Sequence, residues 1–272
     1  MQLVEFQMGS HNKFYNHRFD PIFGRKITPD DPEFQEFIAQ FAKQYADHMK
    51  AKNWLDKCFT VVWDEPYAQV YPQIARTIAT IRRVAPELQP GVFIGYMDKQ
   101  IAPHLDMWLT SFDALYKARN DDAEKHKPVW CYNNVAMDNF RHPAAALRLQ
   151  YFTAFKYNVA GYLYSDINAY SKPFRGKKAD AFYNIWVNYI WLYPGKKPGE
   201  TMPSLRMTLT REGLDDYDYL AMYKQKFPNR PLPEWVNSVM PTLDITGNQT
   251  YPVLSQRKMQ EMRHKLALLL EK

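Results

Sequence analysis

Phe59-Thr60-Val61-Val62-Trp63-Asp64-Glu65-Pro66 is an apolar, β-branched run that ends in two adjacent carboxylates and a proline. The run reads as a buried strand, and the acids fall where that strand stops. In a parallel α/β fold ligands bind at the carboxyl ends of strands, so acids placed there are better candidates for chemistry than acids on a helix surface. On an ideal strand Asp64 and Glu65 would point to opposite faces. Pro66 changes that expectation, because it has no N–H for the ladder and restricts the residue before it. The strand is therefore expected to end and turn here, swinging both acids towards one cleft. The alternative is a structural or helix-capping Asp-Glu pair.

Working outward, residues 1–29 read as an irregular, polar segment in which His11, Asn12, Lys13, Tyr15, His17 and Arg18 crowd together, more simply a solvated loop than a substrate-facing one. Asp30-Asp31-Pro32-Glu33 is a helix start with a capping Asp, Pro in the first turn and an acid favourable to the helix dipole. Phe34, Phe37, Ile38, Phe41 and Tyr45 then share one apolar face. After the acid pair, Ile74, Ile78, Ile81 and Ala85 form a stripe over 71–85, with Arg76, Arg82 and Arg83 off it. Gly91 to Tyr96 reads as a strand; around 101–110 a helical and a strand-like pattern overlap; Pro128 to Asn134 is a strand ending in amides. Pro143 opens a helix carrying Leu147, Tyr151, Ala154 and Phe155, and 159–164 is the next strand, with Ser165-Asp166-Ile167-Asn168 at its end. A last strand is expected over 185–192, then a helix over 205–226 with Leu214, Tyr217 and Ala221 on one face, and a final helix from Ser255.

Strands alternating with helices in this way indicate parallel βαβ units rather than a sandwich. The fold class is α/β, a (β/α)8 TIM-type barrel, which typically needs about 250 residues. The units before residue 58 are too few, so either the barrel is incomplete at its amino-terminal end or the opening loop supplies irregular strands. One domain is expected over 1–272: the irregular 1–29, β/α units over 30–227, and a carboxy-terminal extension with a helix over 228–272.

Composition excludes several function classes. Hydrophobic residues at 46% and charged residues at 24% are ordinary for a globular protein. The net charge of +6 comes from Lys and Arg scattered along the chain, which argues against nucleic acid as a partner. No apolar run of about 18 residues suggests a membrane span, and the first residues lack the basic-then-apolar build of a secretion signal. Cys58 and Cys131 fall at strands without metal-type spacing and read as free buried thiols; His104 and His142 are single, so neither a metal nor another cofactor is expected. The excess is aromatic: 19 Tyr, 16 Phe and 7 Trp supply flat faces with polar tips, suited either to a large-residue core or to a carbohydrate cleft.

A glycosidase with two working carboxylates holds them about 5 Å apart when it retains configuration and about 6.5–9.5 Å apart when it inverts. Adjacent residues do not easily straddle a sugar in this way. They suit a substrate-assisted route, in which one acid protonates the leaving oxygen and the other steers a nucleophilic group of the substrate itself. A general acid must hold its proton near neutral pH, which calls for apolar surroundings such as Trp63, Trp130 and Tyr132. By position alone, Tyr96, Asp98, Tyr132, Asn133, Tyr164, Asp166, Asn168 and Trp191 sit at or beyond strand ends, where sugar hydroxyls would be bound.

Trp63-Asp64-Glu65-Pro66, Val129-Trp130-Cys131-Tyr132-Asn133, Gly161-Tyr162-Leu163-Tyr164, Tyr193-Pro194-Gly195, Pro203-Ser204-Leu205-Arg206 and Arg211-Glu212-Gly213-Leu214-Asp215-Asp216-Tyr217-Asp218-Tyr219-Leu220 follow one another in the order and spacing of a known family. Over about residues 33–225 the chain resembles glycoside hydrolase family 123. The resemblance implies a catalytic (β/α)8 barrel acting on β-linked N-acetylgalactosamine with retention, with Glu65 as general acid/base and Asp64 orienting the 2-acetamido group. It further implies a glycan or glycolipid substrate and a periplasmic or extracellular location. Arg206, Glu212 and Asp216 are expected to fix their helix rather than touch substrate. The chain departs from the family pattern at Ser165-Asp166, where members often carry a Trp, and upstream, where the family has a β-sandwich and early barrel strands. Two other readings stay open: a retaining glycosidase with a distant nucleophile such as Asp166, and a non-catalytic sugar-binding barrel.

Overall fold

The computed structural model describes residues 2–5, 9–10, 13–14, 19–20, 23–132, 144–164, 191–243, 249–250, 252 and 254–271. The chain divides into two compact units, Met1–Trp130 and Cys131–Lys272.

In the first unit the amino-terminal segment contributes strands β1 (Gln2–Glu5), β2 (Gly9–Ser10), β3 (Lys13–Phe14), β4 (Phe19–Asp20) and β5 (Arg25–Lys26). β1 runs parallel to the first half of β6 (Cys58–Asp64), pairing Gln2 with Cys58 and Glu5 with Val61. β2 continues along the same edge, with Ser10 beside Asp64. An early strand is thus present upstream of residue 58, made from a stretch too short and polar to show as one in the sequence. On the other edge of β6 lie β7 (Pro90–Phe93), β8 (Trp108–Thr110) and β9 (Val129–Tyr132), giving the order β9-β8-β7-β6-β2-β3. The sheet is open and mainly parallel, and its strands alternate with α1 (Pro32–Ala51), α2 (Tyr71–Val84) and α3 (Phe112–Asn120). This is the arrangement of an incomplete (β/α)8-type fold.

β6 is buried from Cys58 to Trp63, as a parallel strand covered on both faces must be. Ile74, Ile78, Ile81 and Ala85 of the α2 stripe are fully buried, as their helical spacing predicts. α1 differs in detail. Its buried face is Phe34, Ile38, Ala39, Ala42, Ala46 and Met49, while Phe41 is 39% exposed and stacks on Tyr45. Small alanines let α1 lie close to α2, and the bulkier Phe41 rotates outward. Asp31 occupies the N-cap position but does not cap. Its carboxylate accepts from the Thr28 N–H at 2.6 Å and from Arg25 at 3.0 Å, and these bonds hold it below the usual carboxylate range. The overlapping patterns near residue 105 resolve into a short 3-10 turn at Ala102–His104 followed by β8.

In the second unit α4 (Ala144–Lys156) precedes β10 (Gly161–Leu163). A hairpin of β11 (Leu192–Pro194) and β12 (Thr201–Pro203) leads into α5 (Leu205–Lys226). α6 (Glu234–Asn237), the small β13 (Thr242–Leu243) and β14 (Gln249–Thr250) pair, and α7 (Gln256–Glu271) complete it. The strand expected over 185–192 lies mostly outside the described residues. α5 has the expected bounds but not the expected buried face: Leu214 is 49% exposed, and Gly213, Asp216, Leu220 and Tyr223 turn inward. Asp216 is buried because two arginines meet it. Arg148 of α4 forks onto it through Nε and Nη2, and Arg263 of α7 donates to it at 2.7 Å. Glu212 accepts from Arg263 at 3.0 Å, so this acidic pair of α5 fixes the helix against α4 and α7. Around the charges lies an apolar core of Leu149, Phe152, Leu220, Tyr223, Val236, Met259, Met262 and Leu266.

Gly213 allows that approach. A Cβ there would press on the Tyr151 ring and sit 2.9 Å from the Arg148 carbonyl oxygen. Gly213→Ala gains about 1 kcal/mol of helix propensity but must push α4 and α5 apart, an overpacking cost of about 1–3 kcal/mol. The backbone contact cannot yield as a side chain would, so a net loss of stability is expected in chemical denaturation. Asp216→Asn strands the buried Arg148 charge and is expected to cost more, about 3–5 kcal/mol. A midpoint for Asp216→Asn at or above that of Gly213→Ala would contradict this account of the helix packing.

Candidate active site

The acid pair stands at the end of β6, and the local backbone is irregular on both sides of it. Val61 pairs with Gly91 and Trp63 with Val92, so Val62 is an extra residue, a bulge two residues before the last pair, Asp64 with Phe93. Bulges twist a strand and re-aim the side chains that follow. Asp64 then pairs with Phe93 and closes the strand, half-buried. Glu65 is exposed and adopts φ 45°, the left-handed region. The other described non-glycine residues with positive φ are Asn53 and Asn158, which follow the ends of α1 and α4, where asparagine tolerates this conformation. Glu65 has no such excuse; an L-residue held there costs about 1–2 kcal/mol. The turn expected from Pro66 therefore occurs at Glu65 itself.

Two hydrogen bonds flank this residue. The Glu65 N–H donates to the Phe93 carbonyl at 2.7 Å, and the Pro66 carbonyl accepts from the Tyr96 hydroxyl at 3.5 Å. Tyr96 is 47% exposed. Asp98 is engaged within the protein. Its Oδ2 accepts from the Tyr71 hydroxyl at 3.0 Å and its Oδ1 from the Gln100 N–H at 2.8 Å. Tyr71, at the start of α2, is buried; burial pushes its phenol up, and hydrogen bonds to Tyr96 and Asp98 add to the shift. Tyr71 was read only as the start of a helix. The signal that marks it is an amphipathic residue whose buried ring obliges its hydroxyl to find a partner.

The remaining candidates are distributed as follows. Trp63 is fully buried in the core of the first unit, so its face is covered by protein. Trp130 is 8% exposed and packs on Phe59, ring centroids 4.5 Å apart; its indole N–H has no hydrogen-bond partner among the described residues. In the second unit Tyr132 is half-buried at the end of β9, and Tyr164 stacks on Trp191 with centroids 4.2 Å apart and planes at 30°. The Trp191 carbonyl accepts from the Ser204 N–H at 2.7 Å, and the Ser204 side chain caps α5 by accepting from the Met207 N–H. The Pro203-Ser204 motif thus starts α5 and at the same time ties it to the Trp191 backbone. Asn133, Asp166 and Asn168 lie outside the described residues. Cys58 and Cys131 are both buried. Among the described residues no group of three or more His, Cys, Asp or Glu could hold a metal ion, and no helix is long and apolar enough to cross a membrane.

A family model described as the catalytic domain of glycoside hydrolase 123 matches residues 6–223, well over half of the 272. The chain belongs to glycoside hydrolase family 123. Membership classes it among the glycosidases, and the matched span includes the acid pair and the Arg211–Leu220 block. A solved structure of a family 123 glycoside hydrolase from Clostridium perfringens, described in work on glycolipid glycan hydrolysis, is similar with a TM-score of 0.57 and 12% identity. The likeness covers 94% of this chain and 50% of that one, so this chain spans about half the length of the relative; at this identity the likeness speaks for the fold alone. No match is found among curated proteins.

The strained turn makes a stability prediction. Glu65→Gly removes a left-handed penalty of about 1–2 kcal/mol and adds chain entropy of about 0.5–1 kcal/mol to the unfolded state. The variant is expected to melt at or slightly above the wild-type temperature, whereas Glu65→Val, β-branched, melts lower. Equal destabilisation by both would show that φ at this position is not the constraint.

Proposed function

We propose that this family 123 member removes terminal β-linked N-acetylgalactosamine from a glycan or glycolipid, with retention, by a substrate-assisted mechanism. Glu65 donates a proton to the glycosidic oxygen as the bond breaks. Asp64 holds the 2-acetamido N–H, so that the acetamido carbonyl oxygen attacks the anomeric carbon and forms a cyclic oxazolinium-like intermediate. Glu65, now ionised, takes a proton from the water that opens the ring, and the sugar leaves with its original configuration. Such glycans are met in a periplasmic or extracellular setting, which we propose with the activity.

The observation that carries this reading is the exposed Glu65 held at φ 45° directly after the half-buried Asp64, at the carboxyl end of a buried parallel strand. Strain persists at a position only where the surroundings over-determine it, and such positions cluster at active sites. Adjacency also favours this mechanism over a two-carboxylate one, because neighbouring residues cannot stand on opposite faces of a sugar ring.

The test is hydrolysis of a panel of aryl β-N-acetylhexosaminides by the wild-type chain, Glu65→Gln and Asp64→Asn, each checked for native folding. Turnover of the galactosaminide is expected. Each substitution should lower kcat/KM about 10²–10⁴-fold, the usual contribution of a positioned acid or base. A thiazoline that mimics the intermediate should inhibit the wild-type chain. Undiminished activity in Glu65→Gln would remove the proposal, and sugar binding without turnover by the wild type would select the non-catalytic reading.

A further inference from the structure

We infer that Tyr71 and Asp98 are positioning residues for Glu65, acting by holding the loop after β7, whose Tyr96 hydroxyl reaches the Pro66 carbonyl. The inference rests on the reading of Glu65 as the general acid and adds a device that sets where that acid stands.

A left-handed glutamate relaxes unless the chain on both sides of it is held. On its amino side the Glu65 N–H is bonded to the Phe93 carbonyl at 2.7 Å, a strand contact that needs no side chain. On its carboxyl side the Pro66 carbonyl is reached by the Tyr96 hydroxyl at 3.5 Å. Both contacts come from β7 and the loop that follows it, and that loop is itself pinned. The Ile94 N–H donates to the Leu109 carbonyl at 2.9 Å, and the Ser111 hydroxyl donates to the Gly95 carbonyl at 3.1 Å.

The weak point is Tyr96, whose ring is 47% exposed and so is not fixed by packing. Its place depends on the loop that carries it, and two residues on, Asp98 ties that loop to Tyr71, which is 5% exposed at the first residue of α2. Tyr71 gives its own proton to Asp98 Oδ2 at 3.0 Å, and Asp98 is oriented by the Gln100 N–H on Oδ1 at 2.8 Å. The chain of ties therefore runs from the Gln100 N–H and the Tyr71 hydroxyl through Asp98 to the loop that carries Tyr96, and from Tyr96 to the carbonyl of Pro66, the residue after Glu65. A carboxylate is the strongest available acceptor at the head of such a chain, and small displacements of a catalytic group cost large factors in rate.

The experiment compares two aryl β-N-acetylgalactosaminides, a phenyl glycoside whose leaving group needs protonation and a dinitrophenyl glycoside whose leaving group does not. Wild type, Glu65→Gln, Tyr71→Phe, Asp98→Ala and Asp98→Asn are assayed on both. If Glu65 is the acid, Glu65→Gln loses far more activity on the phenyl than on the dinitrophenyl substrate. Tyr71→Phe and Asp98→Ala are then expected to follow it. On the phenyl glycoside we expect a loss in kcat of about ten- to a hundredfold with KM nearly unchanged, and on the dinitrophenyl glycoside only a small loss. Asp98→Asn, which still accepts from Tyr71, should restore most of the activity lost in Asp98→Ala. A merely structural role would depress both substrates alike. That result in Tyr71→Phe, or no effect on either substrate, while Glu65→Gln remains selective, overturns the inference and leaves the acid assignment standing. Loss of selectivity in Glu65→Gln itself overturns both.

Discussion

A strand buried on both faces has no room for charge along its length, so the first place it can carry an acid is its end. β6 obeys that constraint: Cys58 to Trp63 are covered, Asp64 is half-covered and Glu65 is open to solvent. The burial that makes β6 the centre of the first unit also fixes the register of the acids, because Asp64 lies between Phe93 and Ser10 in neighbouring strands. Stability and the proposed chemistry meet at one peptide, where the apolar run has supplied its packing energy and the backbone spends a little of it on a left-handed glutamate.

The second unit solves a different problem with charge. Asp216 is 2% exposed and Arg148 fully buried, and neither would be tolerated alone. Together with Arg263 and Glu212 they join α4, α5 and α7, and Gly213 supplies the close approach that the pairing needs. The most distinctive block of the chain, Arg211 to Leu220, is thereby explained as packing. Its Asp216 is conspicuous because it is inside, while Arg211 and Asp218 are exposed.

Much of this was legible in the amino-acid text. The α2 stripe, the bounds of α5 from its Pro203-Ser204 start, and the strand ending at Asp64 all follow from spacing and caps that act locally. What was not legible depended on partners distant in sequence. The inward face of α5 looked polar because Gly213 and Asp216 carry no apolar signal, so Leu214 was mistaken for core. Phe41 looked like core and is displaced by alanines. β1 is four residues long and is a strand only because β6 offers it an edge. Among the site residues, the position of Asp64 and Glu65 followed from the sequence. The burial of Trp63 and the commitment of Asp98 to Tyr71 did not, since both depend on what packs above the sheet.

The central claim is that the substrate's own acetamido oxygen, rather than a protein carboxylate, attacks the anomeric carbon at the Asp64–Glu65 pair. It is tested most directly by kcat/KM for aryl β-galactosaminides whose N-acetyl group carries progressively more fluorine, which weakens that oxygen as a nucleophile without altering the leaving group. The account predicts a steep, monotonic fall along the series. A flat response would contradict it and would require a nucleophile supplied by the protein.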